Sequence, residues 1–342
     1  VADAPPAKGN GREQALALPP GTLVNIDAHL KGQFGPVKSW PVIPIHVALT
    51  ADGRVLGYGS STSGQQTANF NYAVWDPASD TYTTLVNSTG TDIFCSSQLL
   101  LPAGDQVFIA GGDNWTGTGT NNVGNNNSNL FNATANSLTR TANMNRARWY
   151  SSSTMLLNGE VLIQGGAGGS DRPEIRAADG TFRLLSGADT TGLSWDFPRN
   201  FTLPDGRLFG FDTAGRMYFV NTAGNGSVTL AGTFPGATAG GDSTGAMFSP
   251  GRILQFGGNS SSAIVINVTG STPSVTTTGS LAFQRRLGVA TVLADGKVLA
   301  TGGSIEWNVM NNVAYDAEIW NPASGQWTRG ATAQLARLYH SV

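Results

Sequence analysis

Short apolar runs of four or five residues alternate along this chain with turns built from Gly, Asp and Asn, and the alternation recurs in a fixed order. In one copy Leu99 to Leu101 precedes a turn at Gly104-Asp105, and Val107 to Ala110 follows it, ending on Gly111-Gly112. Two apolar runs around a tight turn predict a hairpin of buried strands. An earlier copy starts at His46, with an apolar strand ending at Leu49, a turn at Asp52-Gly53-Arg54 and a strand from Val55 to Tyr58 closing on Gly59. Tyr72 to Pro77 and an outer strand near Tyr82 complete a unit of four strands.

The turn and its closing glycine return at Asn158-Gly159-Glu160 before Gly165-Gly166, and at Asp205-Gly206-Arg207 before Gly210-Phe211. They return again at Pro250-Gly251-Arg252 before Gly257-Gly258, and at Asp295-Gly296-Lys297 before Gly302-Gly303. The copies stand roughly 50 residues apart, the period of kelch repeats, each of which builds one blade of a β-propeller. The last unit closes with Ala317 to Pro322 and Trp327, matching Val74 to Pro77 and Tyr82 of the first. Arg337-Leu338-Tyr339-His340-Ser341-Val342 is placed like Arg148-Trp149-Tyr150-Ser151-Ser152, the lead-in to an innermost strand, and so predicts the start of a further blade. The expected fold is therefore all-β: a seven-bladed kelch-type β-propeller over residues 38–342, preceded by an N-terminal arm over 1–37. The seventh blade is incomplete in this chain, and a strand near Trp40 to Ile45 together with chain beyond Val342 is expected to complete it, because an unclosed ring leaves open strand edges.

Composition agrees with short strands. Gly numbers 45 and charged residues make up only 12%, too few for long surface helices. Lys and Arg total 20 against 22 Asp and Glu, with no cationic block, so no footprint for a nucleic-acid backbone is present. No apolar run reaches the length of about 18 residues that a membrane-spanning helix needs. The single cysteine cannot close a disulfide within the chain. The opening Val1-Ala2-Asp3-Ala4-Pro5-Pro6 resembles a mature N-terminus left after signal-peptide removal, so a secreted, periplasmic or cell-surface location is expected.

Four residues with chemical potential occupy the same place in different repeats. Cys95, Tyr150, Tyr339 and His340 all stand in the lead-in to the strand that precedes the turn. Taken singly, Cys95 reads as a buried apolar residue and Tyr150 as a core aromatic. In a propeller, however, such lead-ins converge near one end of the central axis. Phenolate and imidazole donors suit Cu(II), and a bound dication ionises a phenol whose ordinary pKa is about 10. A thiol beside a phenol ring adds the possibility of oxidative cross-linking.

Thr91-Asp92-Ile93-Phe94-Cys95, Arg146-Ala147-Arg148-Trp149-Tyr150-Ser151-Ser152 and Ala336-Arg337-Leu338-Tyr339-His340-Ser341 resemble, in order, three motifs of the galactose oxidase and glyoxal oxidase family of copper radical oxidases. The resemblance implies a Cys95–Tyr150 thioether whose tyrosine carries a radical. It also implies copper held by Tyr150, Tyr339 and His340, with Tyr339 accepting the substrate proton. The implied reaction oxidises a primary alcohol or aldehyde, carbohydrates included, and reduces O2 to H2O2. Arg199, in Pro198-Arg199-Asn200, resembles the family's substrate-contacting arginine, a donor fork able to grip hydroxyls or a carboxylate.

Two family features are missing. The family's second histidine ligand lies on a C-terminal β-sandwich domain outside these 342 residues, and neither His29 nor His46 matches it, so a further domain or fragment is the expected partner. The tryptophan that stacks on the cross-link in galactose-oxidising members is replaced by Gly165 to Gly169, which leaves Trp195, then Trp307, as the expected cover and substrate wall. Asp242 and Ser243 are expected in the corresponding loop of a later blade. The alternative is a non-catalytic kelch propeller that binds carbohydrate or protein through its loops.

Overall fold

The computed structural model describes residues 26–66, 70–114, 122–234, 242–258, 260–307 and 309–337. A single helical turn, α1 (Ala28–Lys31), precedes the strands. Blade one is β1 (Ile43–Leu49), β2 (Val55–Ser60), β3 (Asn71–Asp76) and β4 (Thr81–Val86). Blade two is β5 (Ser97–Leu100), β6 (Gln106–Ala110), β7 (Ser128–Asn132) and β8 (Ser137–Arg140). Blade three is β9 (Trp149–Met155), β10 (Val161–Ala167), β11 (Glu174–Arg176) and β12 (Phe182–Leu184). Blade four is β13 (Arg199–Thr202), β14 (Leu208–Phe211), β15 (Arg216–Asn221) and β16 (Ser227–Thr233). Blade five is β17 (Ser243–Ser249), β18 (Arg252–Gly257), β19 (Ala263–Asn267) and β20 (Ser274–Thr277). Blade six is β21 (Val289–Val292), β22 (Val298–Thr301), β23 (Asp316–Asn321) and β24 (Gln326–Thr332).

Each blade is an antiparallel meander in which strands neighbour one another in chain order. The second strand of each blade is the most deeply covered, which is why Val107 to Ala110 and Val161 to Ile163 read as unbroken apolar runs. The outer strands β4 and β16 alternate half-buried with exposed positions. Blades join through apolar seams: Leu56 and Val74 pack with Val107 and Phe131, Phe108 with Val161, and Leu162 with Leu208 and Tyr218. Phe209 and Phe211 meet Ile253 and Ile264, and Phe256 and Val265 meet Val298 and Trp320.

The described residues form six four-stranded blades, not the seven expected from sequence. The segment assigned to a seventh blade is already used. Ile43–Leu49 is the innermost strand of blade one, paired with β2 from Ile43 opposite Ser60 to Leu49 opposite Val55. Trp40 packs edge-on against Tyr82 at 5.1 Å and near Trp75 at 5.9 Å, while Val42 covers Ala73. Residues ahead of β1 therefore cover the flank of blade one, and α1 lies against β24 of blade six. Arg337 is the last described residue of the hexapeptide read as a new blade, and the rest of it lies outside the described residues.

Two buried ion pairs fix the lead-ins to their own blades. Arg148 is fully buried and its guanidinium reaches Glu174 at 2.9 Å, the Gly165 carbonyl at 2.7 Å and the Arg172 carbonyl at 2.7 Å. Glu174 in turn accepts from the Asn145 N–H at 2.7 Å. Arg285 and Glu318 repeat the arrangement in blade six, with Arg285 donating to the Gly302 carbonyl at 2.8 Å and Glu318 accepting from the Ala282 N–H at 2.6 Å. Removing one partner strands a buried charge, so Glu174→Ala is expected to cost about 3–5 kcal/mol of unfolding free energy. Urea denaturation checks this, with Lys31→Ala, at an exposed pair, expected to leave the midpoint unchanged.

Candidate functional site

A cavity of about 740 Å³ opens where the lead-ins to the innermost strands converge. Its wall takes His46 from blade one, Cys95 ahead of blade two, Tyr150 from blade three, Phe197 and Arg199 at blade four, Asp242 ahead of blade five and Leu287 ahead of blade six.

A repeated backbone device brings them there. The glycines closing one blade donate to the lead-in of the next: Gly112 N–H to the Arg148 carbonyl at 2.9 Å, Gly166 to Trp195 at 2.6 Å and Gly258 to Arg285 at 3.2 Å. Gly165 shows why glycine is required, since its φ is +72° and a Cβ would lie 2.6 Å from the Trp195 carbonyl oxygen. Two residues beyond each accepted carbonyl the chain turns left-handed, at Tyr150 (φ 66°), Phe197 (φ 42°) and Leu287 (φ 59°), and Cys95 does the same (φ 58°). Left-handed backbone costs a bulky L-residue about 1–2 kcal/mol, so these bends persist only because their surroundings hold them. They hold one another: Tyr150 N–H donates to the Cys95 carbonyl at 3.0 Å and Phe197 N–H to the Tyr150 carbonyl at 2.9 Å.

Cys95 and Tyr150 thus stand side by side in the wall. Cys95 is buried, and burial pushes its thiol pKa up to about 12, while the Tyr150 side chain beside it pulls the other way. The thiol is protonated and is no poised thiolate nucleophile. The Tyr150 ring lies 4.2 Å from Trp149 and 4.6 Å, edge-on, from Phe197. Trp195 stands further back at 6.2 Å from Tyr150 and stacks on Trp149.

The other expected residues divide. Arg199 lines the cavity, yet two of its nitrogens are committed to the Phe197 and Ser243 carbonyls. Trp307 sits at the rim, 60% exposed. Asp242 is buried in the wall, 3.4 Å from Arg286. Tyr339 and His340 lie outside the described residues. Arg337, two positions before Tyr339, accepts from the Gly303 N–H at 3.1 Å, the bond that Arg148 makes two positions before Tyr150. His29 is exposed on α1, on the blade-six side. Among the described residues no cluster of three or more His, Cys, Asp or Glu gathers as a metal site.

Trp149, Phe197 and His46 were not picked out by sequence as parts of this wall. Phe197 carried a signal, since it stands at the same repeat position as Tyr150. His46 carried less, being one polar residue in the apolar strand of blade one. Its Nε2 accepts from the Cys95 N–H at 3.0 Å, and burial lowers its pKa to about 4, so the ring is neutral.

Behind the Cys95 turn lie two buried carboxyl groups. Asp92 Oδ1 accepts from the Phe94 N–H at 3.0 Å, and Asp113 Oδ1 accepts from the Asn114 N–H at 2.7 Å. Burial pushes the Asp92 pKa up to about 7, with Asp113 adding to the rise.

The kelch motif family matches residues 285–334. The fold is similar to that of a solved structure described as a novel fungal alcohol oxidase with catalytic diversity among the AA5 family, in complex with copper. The TM-score is 0.76 at 21% identity, covering 89% of this chain and 68% of that chain. At that identity the likeness is one of fold, a kelch propeller with four-stranded blades. A sequence comparison with curated proteins finds no match. Among the described residues no helix is long and apolar enough to cross a membrane.

The Asp92 shift yields a prediction of definite sign. A carboxyl whose folded pKa is raised to about 7 binds its proton more tightly folded than unfolded, where the pKa is about 3.9. Its contribution to stability is fully present below about pH 4 and is lost as pH rises towards 7. Asp92→Asn keeps the acceptor for Phe94 and removes the titration. The variant is expected to melt higher than wild type at pH 8, with a flatter dependence of melting temperature on pH between 4 and 7, as read by calorimetry.

Proposed function

We propose that this protein is a copper radical oxidase that converts a primary alcohol or aldehyde while reducing O2 to H2O2. The observation that carries the reading is the placement of the Cys95 thiol beside Tyr150 at a cavity both line, on two left-handed turns hydrogen-bonded to each other. A thiol and a phenol so held are the two halves of a thioether-linked tyrosine. In its formation the Cys95 S–H and a Tyr150 ring C–H give one S–C bond, and the two protons and two electrons released reduce O2 to H2O2.

The donor chemistry fits copper. Tyr150, a phenol, lines the cavity, and Tyr339 and His340 follow in sequence from Arg337, whose carbonyl is held as that of Arg148 is. Copper bound by Tyr150, Tyr339 and His340 would supply one of the two oxidising equivalents, the Tyr150 radical being the other, which is why no nicotinamide or flavin is required. Trp149 and Phe197 pack against the Tyr150 ring and orient it in the wall. The donors of Arg199 not spent on carbonyls orient a substrate oxygen, Tyr339 accepts the hydroxyl proton, and Trp307 flanks the approach while Trp195 backs Trp149. A further domain or fragment supplies the second imidazole of the family, and export to the cell exterior suits an enzyme that releases peroxide.

The test is peroxide release from copper-treated protein, alone and joined to a domain carrying such a histidine, across sugars, simple alcohols and aldehydes. Oxygen-dependent peroxide is expected with at least one class, and Tyr150→Phe is expected to lower it below about one-thousandth of wild type. Silence across the panel, with a glycan or protein ligand bound at the same cavity, would instead establish the non-catalytic propeller.

A further inference from the structure

We propose that His46 is a positioning residue that presents Cys95 to Tyr150 for thioether formation. The inference rests on the oxidase reading above but is carried by its own geometry. Cys95 occupies a left-handed turn, and its main chain is held on both sides. Its carbonyl accepts from the Tyr150 N–H at 3.0 Å, and its N–H donates to His46 Nε2 at 3.0 Å. The second bond is the one that comes from a side chain, and it comes from another blade.

His46 is itself fixed. Its ring stacks on Tyr58 at a centroid distance of 4.9 Å and an interplanar angle of 21°, and meets Phe94 edge-on. The Tyr58 hydroxyl bonds Ser96 Oγ at 2.8 Å and donates to Gln98 Oε1 at 3.0 Å. Residues on both sides of Cys95 are therefore clamped around the His46–Tyr58 pair. Acceptance at Nε2 requires the neutral ring with its proton on Nδ1, the state that burial favours. With Nε2 engaged, His46 acts on the cysteine backbone and is distinct from a metal ligand. Without that acceptor the buried Cys95 N–H loses its bond, the turn keeps only its other main-chain contacts, and the thiol is held less firmly against the ring it must join.

Three substitutions separate the acceptor from mere packing. His46→Gln keeps a side-chain acceptor of similar reach, His46→Phe keeps the aromatic stack without an acceptor, and His46→Ala removes both. The readout is the rate at which a thiol reagent modifies Cys95 in metal-free protein, with near-ultraviolet circular dichroism confirming the fold. Gln is expected within about twofold of wild type, and Phe and Ala about tenfold faster or more, as the turn opens locally. A Phe variant as slow as wild type, or a Gln variant as fast as Ala, overturns the proposal. Thioether formation under Cu(II) and air is expected in the same order, with Phe and Ala the slowest. Wild-type protein that forms no thioether overturns the oxidase reading, whereas a flat thiol series overturns the role of His46 even where the thioether forms.

Discussion

The hydrogen bonds passed from one blade's lead-in to the next set everything else at this site. Gly112 to Arg148 and Gly166 to Trp195 bring successive blades into register, and Tyr150 to Cys95 and Phe197 to Tyr150 then fix the side chains facing the axis. Glycine doublets make the first set possible by letting main chain touch main chain. The second set stabilises left-handed backbone at bulky residues, a conformation local propensity disfavours. Side chains roughly 50 positions apart in sequence are thereby held at neighbouring points of one wall.

Neutral groups dominate the resulting chemistry. Burial keeps the Cys95 thiol protonated and the His46 imidazole uncharged, and it drives Asp92 towards its acid form. Arg148 is answered by Glu174, and Arg199 donates to two carbonyls. A thiol kept protonated by burial is a poor thiolate nucleophile.

Much of this was legible in the sequence, and the exceptions share a cause. The turns at Gly104-Asp105, Asn158-Gly159 and Asp295-Gly296 marked real hairpins, because turn chemistry and apolar runs are local properties. Cys95 and Tyr150 share a repeat position, and the structure sets both in the wall of one cavity. A seventh blade was expected because Arg337 to Val342 reads as a strand lead-in, with Trp40 to Ile45 as its completing strand, yet pairing with β2 and packing on Tyr82 spend that segment on blade one. Trp195 was expected to cover Tyr150, yet Trp149 lies closer, since the left-handed turn at Tyr150 brings adjacent side chains together as no extended strand would. His46 was passed over because a hydrogen bond between blades leaves no mark on local periodicity.

The central claim is that Cys95 and Tyr150 become one covalent unit. Peptide mapping of the protein after exposure to Cu(II) and air tests it most directly. A single cross-linked species joining the Cys95 and Tyr150 peptides, lighter by about 2 Da than their sum and absent from Cys95→Ser, is the predicted result. Separate peptides, with Cys95 still open to alkylation after copper and air, would contradict it.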